Sequence, residues 1–309
     1  MIRDTKAGRL FFSFMAVGFL AASLLSSGCA SIAKVGASVG QATGVITPQQ
    51  ADSIVKSAEA VEKTFADITP EQEYFIGRAV GATIISEYSV FDNDEANKYI
   101  NRLGKSVARF SDVPETFRGY HFLILDTDEI SAFAAPGGFI FVSRGMIRLC
   151  KTEDDLAAII AHEVGHIQHK HAIKAIKSSR LTSALTIIGL SAAKELVGPD
   201  LAKVTEAFEG SITDITKTMT QGGYARGQER EADRAAIAIL KRMGYRQGAL
   251  IDVLARMDEV LKTDKRGFGS THPPASDRIK DLRALVDDTG TPVPTNVRQK
   301  RFDQLLKLI

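Results

Sequence analysis

Residues 155–171 read DLAAIIAHEVGHIQHKH and contain His162-Glu163-Val164-Gly165-His166. On an α-helix, two histidines four residues apart lie about 40° apart around the axis and one turn along it. Both imidazoles can therefore reach one metal ion, and Glu163 between them can take a proton from a water that the metal activates. This spacing points to metal-assisted hydrolysis, with Zn2+, one per chain, as the cofactor that such a donor set suits. The bland alternative is two satisfied histidines on an ordinary helix.

A third ligand is needed. Continuing the motif within the same segment would require His at position 172, which is Ala172. The remaining route is a carboxylate on a second helix. Residues 228–234 read QEREADR and open a helical pattern that runs through Ile237, Leu240 and Met243 and stops at Gly244. Glu229 and Asp233 are four apart and share a face. Glu229 can bind the metal while Asp233 accepts from the outer nitrogen of a ligand histidine. Glu231 points elsewhere and is the weaker candidate. Without the first motif, this segment would read as a solvated charge cluster. His169 lies too far along the helix to join the same site, and His171 falls on the opposite side of a continued helix. Both read as surface groups or as outer supports of the ligands.

With these residues in view, the chain resembles the HtpX-like and BepA-like zinc metallopeptidases, relatives of the CAAX prenyl endopeptidases. The resemblance rests on the helix around His162, the 229–233 segment, FAAPGGFIFV at 133–142 and Thr271-His272-Pro273-Pro274. It spans about residues 70–288 and departs at Ser131, where relatives usually carry Asn. It implies a gluzincin endopeptidase fold, with His162, His166 and Glu229 as zinc ligands and Glu163 as general base. It also implies an edge strand lining the cleft at Gly138, Phe139, Ile140 and Phe141, along which extended substrate can pair by backbone hydrogen bonds. The same resemblance puts the His272 loop near the cleft. There His272 could coordinate the metal and silence it, support the developing oxyanion, or simply belong to the cap of the helix that starts at Ala275.

The elements that must position these groups are mainly helical. Thr152 and Asp155 form a near capping box before the His162 helix, with Leu156, Ile159, Ile160 and Val164 on its apolar face. Thr69-Pro70-Glu71-Gln72 is a second strong helix start, and 92–110 carries apolar residues at helical spacing. The period then changes to that of strands at 120–126, 133–135 and 139–142, the last two around the Pro136-Gly137-Gly138 turn. Further helices are expected at 247–262, 275–285 and 298–309. The fold class is α+β, mainly helical, with a small antiparallel hairpin beside the His162 helix. Residues 172–224 separate the ligand segments as an insertion, either a lid over the cleft or a plain core helix.

Composition is that of a globular chain: 309 residues, 44% hydrophobic, 25% charged and a net charge of +2. With no Trp and no basic excess, nothing points to nucleic acid. Residues 1–28 read as a signal peptide, with Arg3, Lys6 and Arg9 before an apolar run. Cys29 follows small residues as in a bacterial lipobox, although Ser26 stands where Leu is usual. An uncleaved anchor helix and plain secretion are the alternatives. A lipid on Cys29 would hold the protein at a membrane, and by resemblance at the periplasmic face of the outer membrane. Cys150 is then a lone buried thiol. Residues 29–47 form a flexible tether, 48–290 the metallopeptidase domain and 291–309 a C-terminal tail with a short helix; no 34-residue repeat is present. The expected function is hydrolysis of misfolded or unassembled cell-envelope proteins, with envelope assembly machinery as a further partner. The alternative is a chaperone-like assembly factor with a closed or latent zinc site.

Overall fold

The computed structural model describes residues 68–176, 212–261, 275–287 and 296–309, with isolated positions among 38–55 and at 210 and 272. The leader, Cys29, most of the tether, the 177–209 part of the insertion and the 291–295 linker lie outside the described residues. The chain divides into two units, 1–67 and 68–309, and every candidate metal ligand belongs to the second.

Helix α1 (Pro70–Glu87) starts from a complete capping box, Thr69 and Gln72 bonding each other's backbone N–H. Helix α2 (Asp94–Ala108) is capped by Asn93. Three strands follow, β1 (His121–Leu125), β2 (Ala132–Ala135) and β3 (Phe139–Ser143), in the order β1-β3-β2. The β2–β3 pair is antiparallel and β1 pairs with β3 in parallel, so the sheet is mixed rather than a lone antiparallel hairpin. The hairpin closes through Pro136–Gly138, where Gly137 has φ 72° and a Cβ would sit 2.6 Å from the Cα of Tyr74. Glycine is what lets the turn lie against α1.

This order corrects one expectation. β3, which contains Phe139, Ile140 and Phe141, is the central strand, and Gly138 belongs to the turn. Its backbone pairs on both sides, so it cannot take an added strand. The outer side of β1 is covered as well. Asn97 and Asn101 of α2 accept from the N–H groups of Ile124 and Phe122 at 3.2 Å, and Asn101 donates to the carbonyl of Phe122 at 2.6 Å. Among the described residues, no strand pairs with the outer edge of β2.

After α3 (Arg144–Leu149) comes α4 (Glu153–Gln168), the centre of the molecule, buried from Glu153 to Ile167. α5 (His171–Lys174) is one turn long. Then follow α6 (Arg226–Met243), α7 (Ala249–Leu261), α8 (Ala275–Arg283) and α9 (Asn296–Leu308). One core joins Ile100 and Val107 of α2, Leu156 and Ile160 of α4, Leu240 of α6, Leu254 of α7 and Phe302 of α9. Cys150 lies in it, its thiol directed at the Met146 carbonyl and its pKa pushed up by burial, the setting of an inert thiol.

The first turn of α4 buries three carboxylates. A helix N-terminus favours negative charge, and each acid also has an arginine. Glu153 receives Arg301 of α9 together with the Tyr99 and Tyr245 hydroxyls at 2.7 and 2.8 Å. Asp154 receives the Arg246 N–H at 3.0 Å and Arg298 at 3.4 Å. Asp155 closes the capping box with Thr152 and pairs with Arg256 of α7 at 2.6 Å. The helix that carries the motif is thus fixed at its start by α7, α9 and the α6–α7 connection.

Candidate metal centre

α4 and α6 cross where Gly165 meets Ala232. A Cβ on Gly165 would lie 2.9 Å from the Ala232 carbonyl oxygen and 3.1 Å from the Ala235 Cβ. This close approach brings the first turn of α6, with Glu229, to the two histidines of α4. His162 Nε2 and His166 Nε2 are 3.1 Å apart, and the Glu229 carboxylate oxygens lie 3.6 Å from each. His272 joins them: ligand atoms of His162, His166, Glu229 and His272 all lie within 4.8 Å of one another. His272 Nδ1 is 2.7 Å from Glu229 Oε2.

The outer nitrogens are held too. His162 Nδ1 is 3.0 Å from Asp233 Oδ1. Asp233 is gripped in turn by Arg278 of α8, Nη2 to Oδ1 at 2.6 Å and Nε to Oδ2 at 3.0 Å. The same guanidinium lies 3.3 Å from His162 Nδ1, and its shorter ion pair to Asp233 dominates. Burial raises the Asp233 carboxyl, but Arg278 and His162 outweigh it and hold it well below the usual range. An ionised Asp233 only accepts, so His162 Nδ1 carries the proton and Nε2 presents a lone pair.

His166 reaches the same state by a longer route. Its Nδ1 is 2.9 Å from His171 Nδ1, and His171 Nε2 is 2.9 Å from Glu231 Oε2. Glu231 accepts from His171 Nε2, so a neutral His171 offers Nδ1 as an acceptor and His166 donates from its own Nδ1. Burial lowers the pKa of both rings, His171 to about 4, and keeps them neutral. His166 Nε2 is then also a lone pair. Two lone pairs face each other at 3.1 Å with a carboxylate beside both, an arrangement that a cation satisfies. Two imidazoles and a Glu are a zinc donor set, and the residues fit that ion.

Glu163 is buried beside the pair. Burial pushes its carboxyl up to about 7, with His162 lowering it and Glu229 raising it. Its Oε1 has no hydrogen-bond partner among the described residues. Burial raises the Glu229 carboxyl, yet His272 and Arg278 hold it well below the usual range.

The structure therefore brings together His162, Glu163, His166, Glu229, Asp233 and His272, and leaves Gly138–Phe141 in a turn and strand already paired on both sides. Of the two readings of His171, the outer support holds, and only its side is corrected. α4 ends at Gln168 and Lys170 takes a left-handed φ of 55°, so the chain turns and returns His171 to His166. No glycine marks that turn. Arg278 and the support from Glu231 also went unread, since neither has a local signal. Tyr224, which stacks on His166 at 4.4 Å, was missed likewise.

Comparisons with known proteins agree with this geometry. The family described as peptidase family M48 matches residues 94–286. The chain is 31% identical over 224 residues to the putative beta-barrel assembly-enhancing protease of Vibrio cholerae, covering 70% of this chain and 44% of that protein. It is 24% identical over 242 residues to the beta-barrel assembly-enhancing protease of Escherichia coli K12, covering 78% and 49%. It is 26% identical over 231 residues to the mitochondrial metalloendopeptidase OMA1 of Schizosaccharomyces pombe, covering 73% and 64%. The chain spans about half the length of the two bacterial relatives.

Proposed function

The chain belongs to peptidase family M48, and from that premise we propose that it is a zinc-dependent endopeptidase cutting misfolded or unassembled proteins of the bacterial cell envelope. The observation that carries this reading is the pair of lone-pair nitrogens, His162 Nε2 and His166 Nε2, 3.1 Å apart beside Glu229. In this reading His162, His166 and Glu229 hold the zinc, while Asp233 and His171 orient the imidazoles. Bound there, zinc supplies Lewis acidity toward a peptide carbonyl and a water molecule. Glu163 takes a proton from the attacking water and passes it to the leaving nitrogen, so the C–N bond breaks to release a neutral amine. A carboxyl brought near neutrality by burial suits both transfers.

His272 acts as a gate: seated on Glu229 it crowds the donor set, and swung away it leaves the position open. The envelope location draws on the names of the bacterial relatives and on the leader and Cys29. In this reading a lipid on Cys29 holds the catalytic domain at the periplasmic face of the outer membrane, within reach of assembly machinery. Among the described residues no helix is long and apolar enough to cross a membrane.

Wild type and Glu163→Gln, assayed for zinc content and for digestion of an unfolded protein, test the reading. Both should hold one zinc per chain, and only wild type should digest. Cleavage by Glu163→Gln removes the assigned base, and wild type without zinc removes the whole reading. Cys29→Ser should release the protein from membranes; a variant that stays embedded would indicate an uncleaved anchor helix.

A further inference from the structure

We propose that Tyr224 is a catalytic residue whose phenolic O–H donates to the scissile carbonyl oxygen as that oxygen gains negative charge. The inference rests on the endopeptidase reading above. Tyr224 follows the Thr218–Gly222 turn and Gly223, where φ is 69°, and precedes α6 by two residues. Its ring lies nearly parallel to the His166 imidazole, with centroids 4.4 Å apart and planes at 26°, and 5.8 Å from His171. The Thr218–Gly222 turn also touches β2. Tyr224 thus stacks on the metal centre at the end of a segment that touches β2.

Stacking accounts for the ring but not for the oxygen. The hydroxyl is buried and has no hydrogen-bond partner among the described residues. Leaving a buried hydroxyl unpaired costs roughly 1–3 kcal/mol, and a phenylalanine would stack without that cost. The cost has a use if the partner arrives with the reaction, because a donor aimed at developing charge contributes most in a site shielded from water. A phenol is an O–H donor at neutral pH, so the group can lend its hydrogen. Of the other donors nearby, Arg278 Nε and Nη2 grip Asp233, Arg278 Nη1 faces Glu229 at 3.5 Å, and His272 Nδ1 is held by Glu229.

The test uses the zinc-loaded full chain and reduced, fluorescently quenched casein as an unfolded probe. Zinc affinity is measured separately by competition with a chelating dye. Tyr224→Phe keeps the stack and should lower kcat about 100-fold at unchanged KM, with zinc affinity within about twofold of wild type. Tyr224→Ala should also weaken zinc binding, because His166 loses its neighbour. An unchanged kcat in Tyr224→Phe overturns the proposal. So does a loss of kcat that follows a loss of zinc, which would make the hydroxyl part of the metal centre's structure. Failure of wild type to cut casein, or cutting by Glu163→Gln, overturns the endopeptidase reading itself. An active wild type beside an equally active Tyr224→Phe overturns only the role of the hydroxyl.

Discussion

At Glu163 burial opposes ionisation, and the sign of that effect can be measured. The folded carboxyl titrates near 7 against an ordinary 4.5. Between those values the folded chain binds more protons than the unfolded one, so stability falls as pH rises through the window. Glutamine cannot ionise and escapes this cost. Stripped of zinc, Glu163→Gln should therefore gain on wild type by about 2 kcal/mol between pH ~5 and pH ~8, read from urea unfolding at both values. A constant gap would mean that Glu163 is solvated in the free protein. The two histidine supports make a separate prediction. His171→Ala leaves His166 without its acceptor, and Asp233→Ala leaves His162 without its own. Each should weaken zinc binding by about 10- to 100-fold. A smaller effect at His171 alone would show that the relay to Glu231 does not orient His166.

Among the elements, α4 depends on the arginines at its first turn. Asp155 is 1% exposed and its partner Arg256 19%. Arg256→Ala would leave the buried carboxylate, among the described residues, only the Lys151 and Thr152 N–H donors and a distant Arg246, at a cost of roughly 1.5–3 kcal/mol. Arg242→Ala breaks an ion pair whose side chains are 46% and 61% exposed and should cost no more than about 1 kcal/mol. Chemical denaturation of the two variants checks the contrast, and equal losses would refute an ordering by burial. Much of this level was legible in the sequence. Thr152 and Asp155, or Thr69 and Gln72, announce helix starts through bonds between near neighbours. The strands showed themselves as short apolar runs around Pro136-Gly137-Gly138. Strand order did not, because the parallel pairing of β1 with β3 joins segments that no single turn connects and so leaves no local signal. The side on which His171 lies stayed hidden because it depends on a left-handed Lys170, a conformation lysine seldom adopts.

On the scale of the whole molecule, the metal centre is assembled from distant parts of the chain. His171 meets Glu231 across 60 residues, Arg278 meets Asp233 across 45, and Arg256 reaches Asp155 across 101. The His162 helix alone supplies two imidazoles and neither the carboxylate nor the supports. Such long-range contacts make folding slow, and they also set its order relative to metal uptake. Zinc can add its affinity only after α6 has docked on α4, which places uptake on the native side of the folding barrier. A ligand that binds after the barrier slows unfolding and leaves the folding rate alone. Refolding from urea, followed by far-UV circular dichroism because the chain has no Trp, should therefore proceed at one rate in zinc and in chelator, while unfolding slows with zinc. Faster refolding in zinc would mean that α4 and α6 already meet in the transition state. With equal rates, the chain reaches its native topology unaided, and zinc fixes how long it stays there.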